Sequence, residues 1–178
     1  MALPKVISSE KVYKGRVFDV FLDKIQDGDV EYERDVVTHN GSAVIVPVFA
    51  DETVALVKQY RRPAQKYLYE IPAGSLNKNE NPETGARREL EEEIGVTAEK
   101  IELLTEFYVS PGFLSEKMFV FLATNLTETA QNLEADEILE IEKFTFEQAF
   151  EMIRKNEIED AKTIVGLIFA GAKFGVKF

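Results

Sequence analysis

Residues 74–96 read GSLNKNENPETGARRELEEEIGV, and the fold turns on how this stretch is taken. Pro82 stands where the first turn of a helix accepts proline, Gly95 stands where a helix stops, and the spacing between them predicts a helix over residues 82–94. At about 100° per residue, Ala86, Leu90 and Ile94 share an apolar stripe that faces a core. Glu89, Glu92 and Glu93 fall within an arc of roughly 100°, with Glu91 nearly opposite. Three carboxylates on one face repel one another, so helix formation alone gives no reason to gather them. A hard divalent cation such as Mg²⁺ or Mn²⁺, which takes oxygen ligands and keeps several waters, removes that penalty.

Strand patterns surround this helix. Upstream, residues 17–26 and 30–38 are strand-like runs joined through Asp27-Gly28, a dipeptide suited to a tight hairpin turn. Residues 43–49 and 54–60 predict a second hairpin whose first strand is apolar enough to be buried on both faces, and residues 67–71 a further short strand. Downstream, residues 101–109 and 117–123 read as strands flanking a Ser110-Pro111-Gly112 turn. A polar segment over residues 124–137 precedes a strand at 138–144, and helices over 145–155 and 161–173 finish the pattern. Strands around one central helix, with helices at the end, favour an α+β fold or mixed-sheet sandwich. The expected division is an N-terminal antiparallel β unit over residues 1–40 and a main domain over residues 41–178.

Composition narrows the chemistry. The chain has 178 residues, a formal net charge of −11, no cysteine and a single histidine, His39. Thiolate metal sites, iron–sulfur clusters, cysteine nucleophiles and multi-histidine sites are therefore excluded. The negative balance argues against binding a nucleic-acid duplex through a broad basic surface. No apolar run is long enough for a bilayer and the first residues carry no leader-like pattern, so the sequence reads as cytoplasmic, without a membrane partner. Residues 166–174 lack the Gly-Lys-Ser/Thr end of a phosphate loop, and there is no Gly-x-Ser-x-Gly elbow.

A bare acidic helix face is usually solvated. Here the spacing says more: Gly74, five residues, Glu80, seven residues, Arg88-Glu89, apolar Leu90, any residue, Glu92-Glu93, any residue, Gly95, apolar Val96. This resembles the box of the Nudix hydrolases at every defined position. The resemblance implies an α/β/α sandwich with a mixed β-sheet. It also implies an enzyme that splits nucleoside diphosphates linked to another moiety, using Mg²⁺ or Mn²⁺ and an activated water. It assigns Glu89 and Glu93, with the backbone carbonyl of Ala73, to the metal. Glu92 becomes a metal-bridging group or base, and Arg88 the residue that orients the cluster. Gly74 allows the close approach of the backbone, and Glu80 has a structural or supporting role.

Beyond the box, Gln59-Tyr60-Arg61-Arg62-Pro63, Glu70-Ile71-Pro72-Ala73-Gly74 and Ser110-Pro111-Gly112-Phe113 look like the ADP-ribose pyrophosphatase branch. The resemblance makes ADP-ribose the expected substrate, with AMP and ribose 5-phosphate as products. GDP-mannose or another nucleotide sugar is the nearest alternative, and a catalytically silent nucleotide-sensing or protein-binding scaffold is an alternative of another class. Arg61 and Arg62 are candidates for the diphosphate, Phe18 or Tyr13 for stacking on a base, and Pro111 and Gly112 for substrate contact. Residues 126–137 read as a candidate lid. Glu134 is the preferred loop acid for catalysis there, with Asp136 and Glu137 as further candidates for metal contact or base. Branch members are commonly homodimers, and the N-terminal unit is too small to stand alone, so a homodimer is expected.

Overall fold

The computed structural model describes residues 3–133 and 138–178. The chain divides into two compact units. The first comprises residues up to Gly41 together with Phe107–Lys117, and the second Ser42–Glu106 with Met118–Phe178.

In the first unit, β1 (Lys5–Lys14), β2 (Phe18–Asp27) and β3 (Val30–His39) form an antiparallel sheet in that order. Gly28, at φ 59°, makes the tight β2–β3 connection that Asp27-Gly28 announces. Strand β1 carries no such signal. All ten of its residues are exposed, so nothing imposes an alternation of apolar and polar side chains. Register shifts between Val6 and Ser8 and between Lys11 and Tyr13 break the period further. The segment Phe107–Lys117, which the sequence places in the main domain, groups with this unit. The Val37 N–H donates to the Phe113 carbonyl at 2.7 Å, and the Ser115 N–H to the Val37 carbonyl at 2.9 Å. His39 ends β3 with its side chain only 7% exposed.

The second unit holds β4 (Ser42–Pro47), β5 (Val54–Arg61), β6 (Lys66–Glu70), β7 (Ala73–Ser75), α1 (Pro82–Ile94), β8 (Val96–Tyr108), β9 (Lys117–Glu128), β10 (Leu139–Phe144), α2 (Phe146–Arg154) and α3 (Ala161–Lys173). The main sheet, in the order β7-β4-β9-β8, is mixed, with β4 parallel to β9 and antiparallel to β7. A second, antiparallel sheet runs β10-β5-β6. Every residue of β4 is buried, as its continuous apolar run requires. Ala43 and Ile45 join Leu76, Ala86, Leu90, Ile94 and Phe121 in one core cluster with the apolar stripe of α1. On the other face α3 comes so close that a Cβ at Gly166 would lie 2.5 Å from Ile71 Cδ1 and 3.1 Å from Val46 Cγ2. Helices thus cover both faces of the mixed sheet, the α/β/α sandwich expected from the sequence.

Two boundaries differ from the sequence reading. Strand β8 starts at Val96, directly after the helix stop, and β9 runs to Glu128. The first residues of the polar segment are therefore strand, and residues 126–128 do not belong to a lid. Toward its end β9 alternates exposed and half-buried residues, so the polar residues there suit a solvated strand end. Among the described residues, no helix is long and apolar enough to cross a membrane.

Candidate active site

The box folds as a strand, a loop and a helix, and each piece has a local cause. Strand β7 pairs with β4 through Ala73↔Val44, Gly74↔Ala43 and Ser75↔Ser42. The helix opens on Asn81, whose side chain accepts from the N–H groups of Glu83 at 2.9 Å and Thr84 at 3.3 Å, with Pro82 behind it. It closes on Gly95 in the left-handed conformation at φ 62°. The apolar stripe then fixes the rotation of α1, which turns Glu89 and Glu93 inward against β7.

Both carboxylates are buried, with Glu89 6% and Glu93 3% exposed. Glu93 Oε2 accepts from the Ala73 N–H at 3.2 Å. Glu89 lies so close to Gly74 that a Cβ there would sit 1.9 Å from Glu89 Oε1. Glycine at position 74 is thus a requirement of contact, not of backbone conformation. Arg88 ties the remaining acids together. Its Nη1 donates to Glu89 Oε1 at 2.6 Å and Glu92 Oε2 at 2.8 Å, while Nε donates to Glu80 Oε1 at 3.2 Å. Glu80 also accepts from the Asn77 N–H at 2.7 Å, which closes the loop ahead of the helix.

The charges respond accordingly. Desolvation would lower the Arg88 pKa, but Glu80, Glu89 and Glu92 outweigh it and hold the guanidinium well above its ordinary value. The hydrogen bond from Arg88 holds Glu80 below the usual carboxylate range. Arg88 pairs with Glu80, Glu89 and Glu92, and Glu93 lies one turn beyond Glu89 on the same face. Among the described residues, no three acids or histidines are already drawn together as a closed cation cage. The donor set still fits a hard divalent ion: carboxylates beside the backbone of Ala73, and a glycine that leaves no bulk between them. Glu89, Glu93 and the Ala73 carbonyl are the groups that would hold it.

The other sequence candidates are placed as follows. Arg61, at the end of β5, forms a two-pronged pair with Glu70 through Nε at 2.7 Å and Nη2 at 2.8 Å. Arg62 is exposed in the following turn. Phe18, 45% exposed, belongs to the first unit, where its ring centroid lies 6.0 Å from that of Tyr13. Pro111 and Gly112 are exposed in the first unit's 107–117 segment. Glu134, Asp136 and Glu137 lie outside the described residues.

Sequence reasoning missed what secures the far end of α1. The Thr129 N–H donates to the Gly95 carbonyl at 2.7 Å, the Asn132 N–H to the Glu92 carbonyl at 3.1 Å, and Gln131 Nε2 to the Glu93 carbonyl at 2.5 Å. Carbonyls that the helix end leaves without intrahelical partners are thereby satisfied. Gly95 is needed here twice, since a Cβ would also approach Gln131 N to 2.9 Å. No periodicity marks such a contact, because it joins a helix end to a strand end far along the chain.

Comparison with known proteins places the chain in a family. The NUDIX domain model matches residues 39–165. An ADP-ribose pyrophosphatase of Bacillus subtilis (strain 168) is 38% identical over 95% of this chain and 93% of its own. A methanol dehydrogenase activator of Bacillus methanolicus is 35% identical over 92% and 90%. A GDP-mannose pyrophosphatase of Yersinia pestis (strain Pestoides F) is 33% identical over 76% and 72%. Among solved structures, the crystal structure of an ADP compounds hydrolase superposes with a TM-score of 0.88 at 20% identity, covering 98% of this chain and 96% of the other.

Proposed function

Because the chain belongs to the Nudix family, we propose that it is a Mg²⁺-dependent pyrophosphohydrolase that cleaves ADP-ribose to AMP and ribose 5-phosphate. The observation that carries the reading is the pair of buried carboxylates, Glu89 and Glu93, set against the backbone of Ala73 and Gly74. The B. subtilis relative, matched over nearly the whole of both chains, supports the substrate. The Yersinia relative favours GDP-mannose as a second reading.

In the reaction, water attacks one phosphorus, the bridging P–O bond breaks, and each product leaves with one phosphate. When bound, the divalent ion supplies charge neutralisation at the diphosphate oxygens and acidifies water. The chain's own residues do the rest. Glu89, Glu93 and the Ala73 carbonyl bind, and Arg88 keeps the carboxylates of Glu89 and Glu92 in fixed orientation. Glu92, whose side chain is 31% exposed, is one candidate to take the water's proton, and Glu134 is the other, with Asp136 and Glu137 behind it. Arg61 and Arg62 contact the diphosphate, Phe18 stacks on the base, and Pro111 and Gly112 contact substrate. The protein acts as a cytoplasmic homodimer. Supporting the homodimer, Val6, Ile7, Val12 and Tyr13 of β1 and Val30 of β3 are each more than half exposed, apolar side chains that a second copy could cover.

The test is hydrolysis of ADP-ribose, GDP-mannose, UDP-glucose and NADH, each with Mg²⁺ and with EDTA. ADP-ribose as best substrate, silenced by EDTA, is expected. Preference for GDP-mannose moves the assignment to the second reading. Hydrolysis of none favours a scaffold, and hydrolysis that survives EDTA overturns the metal requirement. Neutralising Glu92, Glu134, Asp136 and Glu137 one at a time, in single turnover at saturating Mg²⁺, identifies the base by the largest loss.

A further inference from the structure

A second group of buried charges lies beside the same corner of the chain. Glu70, the last residue of β6, is 1% exposed, and Lys162, in the first turn of α3, is 8% exposed. Lys162 Nζ donates to Glu70 Oε2, the oxygen that also accepts from Arg61 Nη2. Lys162 Nζ lies 3.0 Å from Asp160 Oδ2 as well. Asp160 caps α3 by accepting from the Thr163 N–H at 3.0 Å and from the Thr163 hydroxyl at 2.6 Å. The Thr163 hydroxyl oxygen then accepts from the Ile71 N–H at 2.9 Å. One residue on, the Pro72 carbonyl accepts from the Ile45 N–H at 2.8 Å, and the Ala73 N–H reaches Glu93. Each of the four residues leading into the box thus has an anchor, and the first two come from α3.

The cluster reaches Arg61 most directly. Glu70 holds the Nε and Nη2 edge of the guanidinium inward, while Nη1 makes neither of these bonds and the side chain stays 39% exposed. Glu70 accordingly raises the Arg61 pKa against the cost of burial, and the charge of Glu93 contributes too, so Arg61 sits within electrostatic reach of the box. Without Lys162, the buried carboxylate of Glu70 and the partly exposed carboxylate of Asp160 would have, among the described residues, Arg61 as their remaining nearby cation. The guanidinium would be drawn inward to compensate.

We infer that Lys162 is a positioning residue: by sharing Glu70 with Arg61, it keeps the outer edge of the Arg61 guanidinium available for a substrate diphosphate. The inference rests on the hydrolase reading above and deepens its substrate site. A bidentate guanidinium has a narrow useful geometry, so a small shift weakens its contact with phosphate oxygens. The effect falls on substrate binding more than on the chemical step.

The test compares K162M, K162R, R61M and R61M/K162M in the full chain, by steady-state ADP-ribose hydrolysis at saturating Mg²⁺. K162M is expected to raise KM about tenfold with kcat within about threefold, and K162R to restore KM to within about threefold of wild type. R61M and R61M/K162M should share one KM, because Lys162 acts through Arg61. If K162M does not fold, K162Q, which keeps a hydrogen-bond donor toward Glu70 without the charge, replaces it with the same expectation. An unmoved KM in a folded variant overturns the inference, and so does a double-variant defect equal to the product of the single ones. A wild type that hydrolyses no nucleotide sugar overturns the hydrolase reading and this inference together. A fully active wild type with an unmoved K162M overturns the role of Lys162 alone.

Discussion

The second unit buries acids in two places, and they are treated differently. Glu70 ends β6 with two cations on it, Arg61 and Lys162. Burial pushes its pKa up, yet the Arg61 hydrogen bonds and the Lys162 charge win, and the carboxyl is held below its ordinary value. Glu89 and Glu93 are buried almost as deeply, but Arg88 is shared among Glu80, Glu89 and Glu92. A buried acid matched by cations from its own chain organises the fold. Acids gathered on one helix face against the backbone of a strand suit a cation from outside. Burial and residue type are alike in the two places, and the surroundings separate them: two cations at Glu70, a shared guanidinium and a strand backbone at the box.

The widest gap between the two should appear on neutralising a box acid. Glu93→Gln keeps an acceptor for the Ala73 N–H and relieves repulsion, so the fold should hold. The rate should fall by about 10³-fold or more, with the Mg²⁺ activation midpoint moved upward. A variant within tenfold of wild type would put Glu93 in the same class as Glu70. Gly74→Ala approaches the same carboxylates from the strand. Its Cβ would stand 1.9 Å from Glu89 Oε1, so Glu89 must move. A loss of about 10²-fold is expected, measured as kcat/KM with circular dichroism as the control for folding.

The box was legible in the sequence because its residues are local. The helix bounds over residues 82–94 follow from Pro82 and Gly95, and the inward turn of Glu89 and Glu93 follows from the stripe Ala86, Leu90 and Ile94. Strand β4 was legible for a related reason, since its continuous apolar run allows only burial on both faces. The Glu70 cluster was not. Lys162 is 92 residues from Glu70, and neither residue interrupts the pattern of its own element. Strand β1 was missed because exposure leaves no alternation to read. The seat of residues 129–132 on α1 was missed because two of its three hydrogen bonds are backbone to backbone and all three join segments far apart in the chain.

On the Glu70 side, the expected effect is on stability. Glu70→Gln leaves Arg61 and Lys162 facing a neutral amide, and breaking a buried pair of this kind costs about 3–5 kcal/mol. Acid should erase the difference. Glu70 is held below the ordinary value of 4.5, so its stabilisation is complete above that pH and is lost as the pH falls toward the depressed folded value. Urea unfolding of wild type and E70Q should therefore differ most near neutral pH and converge in acid. A gap that stays constant with pH would mean that the Glu70 charge is not what Arg61 and Lys162 stabilise.

The smallest effect is predicted for the acid that belongs to neither group. Glu91 is exposed on the side of α1 away from β7, and its backbone carbonyl, not its side chain, receives the Gly95 N–H at 3.0 Å. Removing its charge takes nothing from the cluster held by Arg88. It also removes a negative charge from the last turn of α1, where the partial charge of the helix end is itself negative and no basic side chain offsets it. Glu91→Gln should thus leave the rate within about twofold and raise stability by about 0.3 kcal/mol, read from paired Mg²⁺ titrations and thermal melts. Glu91 and Glu93 are two residues apart, identical in chemistry, and differ in the face of the helix they occupy. If E91Q slowed hydrolysis as much as E93Q, the acidity of α1 as a whole would matter more than the position of any acid, and the surroundings of the buried face would no longer distinguish the box from the rest of the chain.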